Sequence, residues 1–414
     1  MNRAVYIASA VRTPIGKFGG GLADLSAADL GVIAVRAALE RAFGRAPGAR
    51  TPGNRKTGVT SSVPYRVNEL ILGNARPAGV GPNLARQVAW RAGLGDDVPA
   101  FTVNMACASG LRAILLGWQQ ITLGAADVIV AGGAESMSRV PYLVDARWGM
   151  RMGHQPLVDA MYRDGFLCPL SEMVMGETAE LLAQEYGIGR EEQDQFALES
   201  HRRAAQAMES CRFGQEIVAV EKTDAKGRTT RIEKDEHVRP DVTLEGLAKL
   251  PPAFSKTGTI TAGNASALTD AASAVVLVSE QKLASLAAPP MARIVDATIA
   301  AVEPHRMGIA PVPANHKLEE RTGWKIADYD AVELNEAFAA QALACDREIH
   351  FDRARLNPNG GAIALGHPIG ATGARIVTTL VHEMRRRKQE GARRGLATLC
   401  VSGGLGVALA LEAV

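Results

Sequence analysis

Four side chains of this 414-residue chain stand out for nucleophilic and proton-transfer chemistry: Cys107, Asn335, His367 and Cys400. Cys107 lies in VNMACASG, where an apolar stretch gives way to Ala108, Ser109 and Gly110 and then to LRAILLGWQQI, whose apolar spacing is helical. A free cysteine is ordinarily a small buried hydrophobe. At the start of a helix it instead meets free N–H groups and the positive end of the dipole, which favour the thiolate, and its small neighbours let a bulky substrate approach. Both readings stand from the residues alone.

His367 lies in NGGAIALGHPIGATG, Asn359 to Gly373, a glycine-dense stretch with Pro368 restricting the histidine's backbone. It reads as a structural loop histidine or as a base and oxyanion donor on a bare loop before a helix. The stretch lacks the GK[ST] of a P-loop. Cys400 ends an apolar run before Val401-Ser402-Gly403-Gly404, the same setting as Cys107: a thiol at a strand end with exposed backbone N–H groups beside it. Asn335, in NEAF after AVEL, either caps the next helix or positions a water or a carbonyl oxygen.

The elements that must hold these residues alternate. AVYIASA, VNELILGNA, FTVNMAC and ADVIVAGGAESM read as buried strands, and LSAADLGVIAVRAALERA and NLARQVAWRAGL as helices between them. This is an α/β plan with mainly buried sheets. ARIVDATIAAV, NHKLEERTGW, YDAVELNEAFAAQALACDREI, GGAIALGHPIGATGARIVTTLVHEMRRR and GLATLCVSGGLGVALALEA repeat it. Each half contains an apolar strand that is expected to end at a glycine pair, Gly132-Gly133 and Gly403-Gly404. Between the halves the texture changes. Residues 190–213 read as an amphipathic helix with a charged face, and 221–241 as a charged surface hairpin or loop, so the region looks inserted, like a cap. Residues 46–63, rich in Gly, Pro and small polar side chains, read as a long excursion.

Composition bounds the rest. Hydrophobic residues make up 47% and charged residues 22%, as in a globular protein, and the formal charge of +2 gives no electrostatic case for nucleic acid or a membrane. The five cysteines are scattered with no metal-ligand spacing, which sets zinc aside and fits a reducing compartment; a cytoplasmic location is expected. No apolar run is long enough to span a bilayer.

VNMACASG, GGAESMS, TAGNAS, NEAFAAQ, NGGAIALGHPIGATG and LCVSGGLG, in this order and spacing, resemble the thiolases, and the likeness runs from VRTPIGKFGG to the last strand. The resemblance implies two similar βαβαβαββ halves in a five-layered αβαβα core with an inserted loop domain. It places the first half at 1–138 plus 269–290, the loop domain at 139–268 and the second half at 291–414. It implies that Cys107 takes an acyl group from a thioester and that His367 activates it and donates to the oxyanion. Cys400 would be the acid/base at the α-carbon of acetyl-CoA, and Asn335 would hold a water in one oxyanion hole. The backbone N–H groups of Cys107 and Ser402 would form the other.

Coenzyme A enters as substrate, with no permanently bound cofactor. Its contacts would be Arg239, Phe254, Ala262, Ser266, Met307, Ala337 and Phe338, with Met175 as in short-chain members. Arg239 reads equally as an ordinary solvated arginine. A homodimer or homotetramer is implied. Two departures stand out. Ser402 replaces the usual Gly of Cys-x-Gly and cannot take Gly-only backbone angles, and Val174 replaces a histidine found in many acetoacetyl-type members. A ketoacyl synthase-like condensing enzyme would lack Cys400 and the GHP motif, and a non-catalytic scaffold would have no use for the four retained residues.

Overall fold

A computed structural model describes residues 3–44, 66–223 and 226–414; the excursion expected at 46–63 lies outside them. The core is one ten-stranded sheet. Its long strands are β1 (Val5–Arg12), β2 (Glu69–Gly73), β3 (Ala100–Val103), β4 (Val128–Ser136), β5 (Thr269–Ser279), β6 (Ala292–Ala301), β7 (Ala331–Leu334), β8 (Arg394–Val401) and β9 (Leu405–Ala413). The short strand Gly16–Lys17 pairs with β5. Strands such as β4 and β5 are buried along their whole length, so they carry continuous apolar and small residues rather than an alternation.

The order is β3-β2-β4-β5-β1-β6-β9-β8-β7, and Leu356 adds a parallel bridge to Val332 on the far side of β7. Each half therefore arranges its first, second, third, fourth and fifth strand segments in the same spatial order. Within each half the second segment pairs in parallel with its neighbours and the rest pair antiparallel. β1 and β6 join the halves through three antiparallel residue pairs.

The helices follow the same repeat. In the first half they are α1 (Ala27–Phe43), α2 (Leu84–Ala92) and α3 (Ser109–Thr122). The insertion between β4 and β5 supplies α4 (Met175–Glu185) and α5 (Arg190–Glu209), and the second half supplies α6 (Pro311–Thr322), α7 (Ala339–Ile349) and α8 (Ile369–Arg386). Three apolar clusters define the layers. One lies between α1, α2 and the first-half strands; one joins α3 and α8 to strands of both halves; one lies between α6, α7, the second-half strands and α4. The sequence of layers is αβαβα, with α3 and α8 in the middle.

The middle layer packs backbone to backbone. A Cβ on Gly110 would sit 2.9 Å from the Ala374 nitrogen, and one on Gly373 would sit 2.4 Å from the Leu111 nitrogen. Gly133 carries this further: its Cβ would fall 2.0 Å from the Gly370 carbonyl oxygen. The Gly132-Gly133 pair therefore lies inside β4, which runs on to Ser136, and does not end the strand as the sequence reading had it. These glycines are spent on close approach. Gly403 and Gly404, by contrast, do form the β8–β9 turn, at φ 88° and 86°. The charged segment after residue 219 contains the hairpin Val220–Thr223/Thr229–Ile232, and 190–209 is the expected long helix.

Candidate active site

Cys107 and His367 occupy matching places in the repeat, each just before a middle-layer helix. Cys107 lies in a single helical turn, Ala106–Ala108, that leads into α3. Ser109 closes that turn: its hydroxyl accepts from the Met105 N–H (2.9 Å) and donates to the Ala106 carbonyl (2.7 Å). Ala106 is held at φ 43°, a left-handed conformation that costs a non-glycine residue about 1–3 kcal/mol and that marks functional turns.

Cys107 keeps partial solvent access. The backbone N–H groups of Ser402 and of Cys107 itself lie close enough to its sulfur to favour the thiolate. Ser402 is not among the residues with positive φ, so serine sits there without the strain that Gly-only angles would impose. Burial pushes the Cys107 thiol up, outweighing the pull of Arg76 and of the two N–H groups. The cysteine lies two residues ahead of α3, and loss of hydration outweighs what the helix start offers a thiolate.

His367 is fixed from three sides. Its N–H donates to the Ala267 carbonyl (3.1 Å), Gly366 precedes it at φ 104°, and its Nδ1 pairs with Thr372 Oγ1 at 2.7 Å. Nε2 is buried with no partner. Burial, with the positive charges of Arg375 and Arg76, lowers the imidazole to about 3, so it is neutral near pH 7.

Cys400 is buried at the end of β8, and burial followed by the nearby Cys107 pushes its thiol well up. The two thiols, 293 positions apart (400 − 107), lie close enough for a charge on Cys107 to raise Cys400. Asn335 does not cap a helix, because α7 starts at Ala339. Its N–H donates to the Thr398 carbonyl (3.0 Å), while both of its amide atoms are buried without partners. Neighbouring Glu336 anchors the loop by accepting from Ser200 Oγ and Asn357 Nδ2, each at 2.7 Å.

The residues expected to contact coenzyme A divide. Ala265 bridges Phe338, the Ser266 N–H donates to the Ala337 carbonyl, and Phe254 meets Phe338 edge-on with 6.0 Å between ring centroids. Phe254 also covers Gly176, whose Cβ would lie 2.2 Å from the ring, next to Met175. Met175, Met307, Ala337, Phe338 and Cys400 share one buried cluster. Ala262 is exposed nearby, after buried Thr261. Arg239 stands apart: it is exposed, its N–H donates to His201 Nδ1 (3.2 Å), and its guanidinium is 3.5 Å from His237 Nε2. A cavity of about 440 Å³ elsewhere, walled by Met208, Phe213, Ile217 and Val238, contains none of the candidate site residues.

Three contributors escaped the sequence reading. Thr372 orients His367. Glu135, buried at the end of β4, accepts from Asn74 Nδ2, the N–H groups of Ala75 and Arg76, and the Gly370 N–H at the start of α8. It thus ties both halves together beneath the site, and its one signal in the sequence is a carboxylate inside an otherwise apolar and glycine run. The third is Arg76, 5% exposed beside Cys107.

The comparisons agree with this geometry. Residues 55–281 match the thiolase N-terminal domain family and residues 288–413 the thiolase C-terminal domain family. An acetyl-CoA acetyltransferase of Chromobacterium violaceum is 49% identical over 409 residues, covering 99% of each chain. The crystal structure of the Bacillus anthracis acetyl-CoA acetyltransferase superposes with a TM-score of 0.91 at 43% identity, covering 100% of this chain and 99% of that one. Human mitochondrial 3-ketoacyl-CoA thiolase in complex with CoA superposes with a TM-score of 0.89 at 38% identity, covering 100% and 98%. Repeat, buried middle helices and matched motifs converge: this chain belongs to the thiolase family.

Proposed function

We propose that this protein transfers acyl groups reversibly between coenzyme A thioesters, condensing two acetyl-CoA or cleaving 3-oxoacyl-CoA through an acyl-cysteine on Cys107. The observation that carries the reading is the set of orphaned polar atoms, His367 Nε2 and Asn335 Nδ2 and Oδ1, buried in a family whose reaction develops an oxyanion twice.

In cleavage, His367 Nε2 takes the Cys107 proton while Nδ1–H donates to Thr372, and the sulfur attacks the 3-oxo carbon. The carbon–carbon bond breaks with its electron pair passing to the α-carbon. Cys400 protonates that carbon and acetyl-CoA leaves. The Cys400 thiolate then takes the proton of a second coenzyme A thiol, whose sulfur attacks the acyl-cysteine; the carbon–sulfur bond to Cys107 breaks and His367 returns its proton to that sulfur. Asn335, through a water, and His367 serve one oxyanion, and the N–H groups of Cys107 and Ser402 the other. Division into two half-reactions gives ping-pong kinetics.

In this reading Met175, Phe254, Ala262, Ser266, Met307, Ala337 and Phe338 line the path of the pantetheine, and Arg239 reaches its nucleotide end. The units are 1–138 with 269–290, 139–268 and 291–414. The chain assembles as a homodimer or homotetramer, a reading supported by the exposed Tyr142, Trp148, Met152 and Leu157 on the insertion. Among the described residues no helix is long and apolar enough to cross a membrane.

The test is CoA-dependent loss of acetoacetyl-CoA absorbance by purified protein. Cys107→Ser should abolish it, and full turnover in that variant would remove Cys107 from the mechanism.

A further inference from the structure

Arg76 is an anomaly for a site that handles only hydrocarbon acyl chains. It follows β2, it is 5% exposed, and its guanidinium lies 5.7 Å from the Phe166 ring centroid and within electrostatic reach of Cys107. Among the described residues it makes no ion pair within 4.0 Å. The nearby Glu135 is occupied by four N–H donors, none of them from a guanidinium. Arg76 Nη1 reaches only the carbonyl of the preceding Ala75 (3.1 Å), and Nε is buried without an acceptor.

The chain makes room for this cation. Gly165 has no side chain where a Cβ would come within 2.4 Å of Nε and 2.5 Å of Nη2. The surrounding apolar cluster of Ala75, Met137, Met161 and Ile369, with Phe166 packed on it, also touches Cys107. An acyl chain on the Cys107 sulfur that ran along this cluster would carry its far end toward Arg76. A buried, unpaired guanidinium costs free energy unless an anion completes it.

Resting on the acyl-transfer reading above, we propose that Arg76 is a specificity-determining residue that receives a carboxylate at the end of the acyl group, so that the preferred 3-oxoacyl-CoA substrates are short dicarboxylic ones. The carboxylate takes the free N–H donors of the guanidinium and leaves the bond changes at Cys107 and Cys400 as they are for a neutral chain.

The experiment compares kcat/KM for thiolysis of 3-oxohexanedioyl-CoA, which ends in a carboxylate, with that of 3-oxohexanoyl-CoA, its neutral counterpart, and uses acetoacetyl-CoA as reference. The wild type should favour the anionic thioester at least tenfold. Arg76→Leu should lower the anionic-to-neutral ratio by on the order of 10- to 100-fold, the worth of a charge-assisted hydrogen bond, and Arg76→Lys should retain part of it. Gly165→Ala, whose Cβ would fall 2.4 Å from Nε and 2.5 Å from Nη2 and crowd the free donors themselves, should lower the ratio too. The proposal is overturned if the wild type cleaves the neutral chain as well as the anionic one, a result that needs no variant to fold, or if the ratio is unmoved in Arg76→Leu. Cleavage of acetoacetyl-CoA alongside either result leaves the acyl-transfer reading intact. Inertness toward all three thioesters removes both.

Discussion

Alkylation of Cys107 by iodoacetamide should rise steadily with pH and show no plateau on the acid side. Two features set this expectation: burial pushes the Cys107 thiol up, and burial with two nearby cations drops the His367 imidazole from 6.5 to about 3. The imidazolium is therefore disfavoured by roughly 5 kcal/mol. A free cysteine is only about 3% ionised at pH 7, and Cys107, pushed higher, is less so. The resting pair is thiol and neutral imidazole; thiolate and imidazolium form only as substrate charge develops.

The assay is the alkylation rate of the Cys107 peptide, followed by mass spectrometry from pH 5 to 9. The slope should be about tenfold per pH unit. His367→Asn should keep that slope while thioester cleavage falls by about 10²–10⁴. The same shift has a sign for stability. A depressed histidine pKa stabilises the fold above its unfolded value and is lost as pH falls toward the folded one. The wild type should therefore lose on the order of 5 kcal/mol or less relative to His367→Asn between pH 6.5 and about 3, measured by urea denaturation. A flat alkylation rate below pH 7 would show that the ion pair pre-exists, and the argument from burial would fail.

Thr372→Val leaves His367 Nδ1 buried without its partner. The cost, about 1–3 kcal/mol, should appear as a roughly 5- to 150-fold loss of kcat in thiolysis with little change in KM. Cys400→Ala should still accept one acetyl group on Cys107 from acetyl-CoA, seen as an added mass, but should no longer exchange α-protons of acetyl-CoA in deuterated water. Retained exchange would assign the base elsewhere. Gly133→Ala places a methyl 2.0 Å from the Gly370 carbonyl oxygen and should destabilise by about 1–3 kcal/mol in urea melts. Gly214→Ala, whose Cβ would meet nothing within 4 Å, is the control.

Much of the site was legible because each catalytic candidate sits where an apolar run gives way to small residues, a pattern local in sequence. Cys107 and Cys400 stand out in this way and His367 by its glycine-dense loop, the thiolase resemblance supplies the role of each, and the alternation of strands and helices carries the two-half plan. What escaped depends on partners far along the chain. Glu135 and Gly370 are 235 positions apart, and Arg76 is a plain arginine until Gly165 and Phe166 close over it. The balance at Cys107 escaped for the same reason: the helix start is visible in sequence, but the depth of burial around the sulfur is not. Gly132-Gly133 was misread because a glycine pair signals a turn locally, while here the facing backbones of β5 and α8 leave space for nothing larger.

The two halves differ most at one corresponding connection. Between β4 and β5 the chain detours through some 130 residues, whereas between β8 and β9 it reverses within Ser402–Gly404. That contrast predicts where the scaffold tolerates engineering. Exposed loops of the detour can be lengthened, swapped or fused to a reporter at small cost. The three-residue reversal admits no graft, because its first amide lies by the reactive sulfur and its two glycines turn the chain at positive φ.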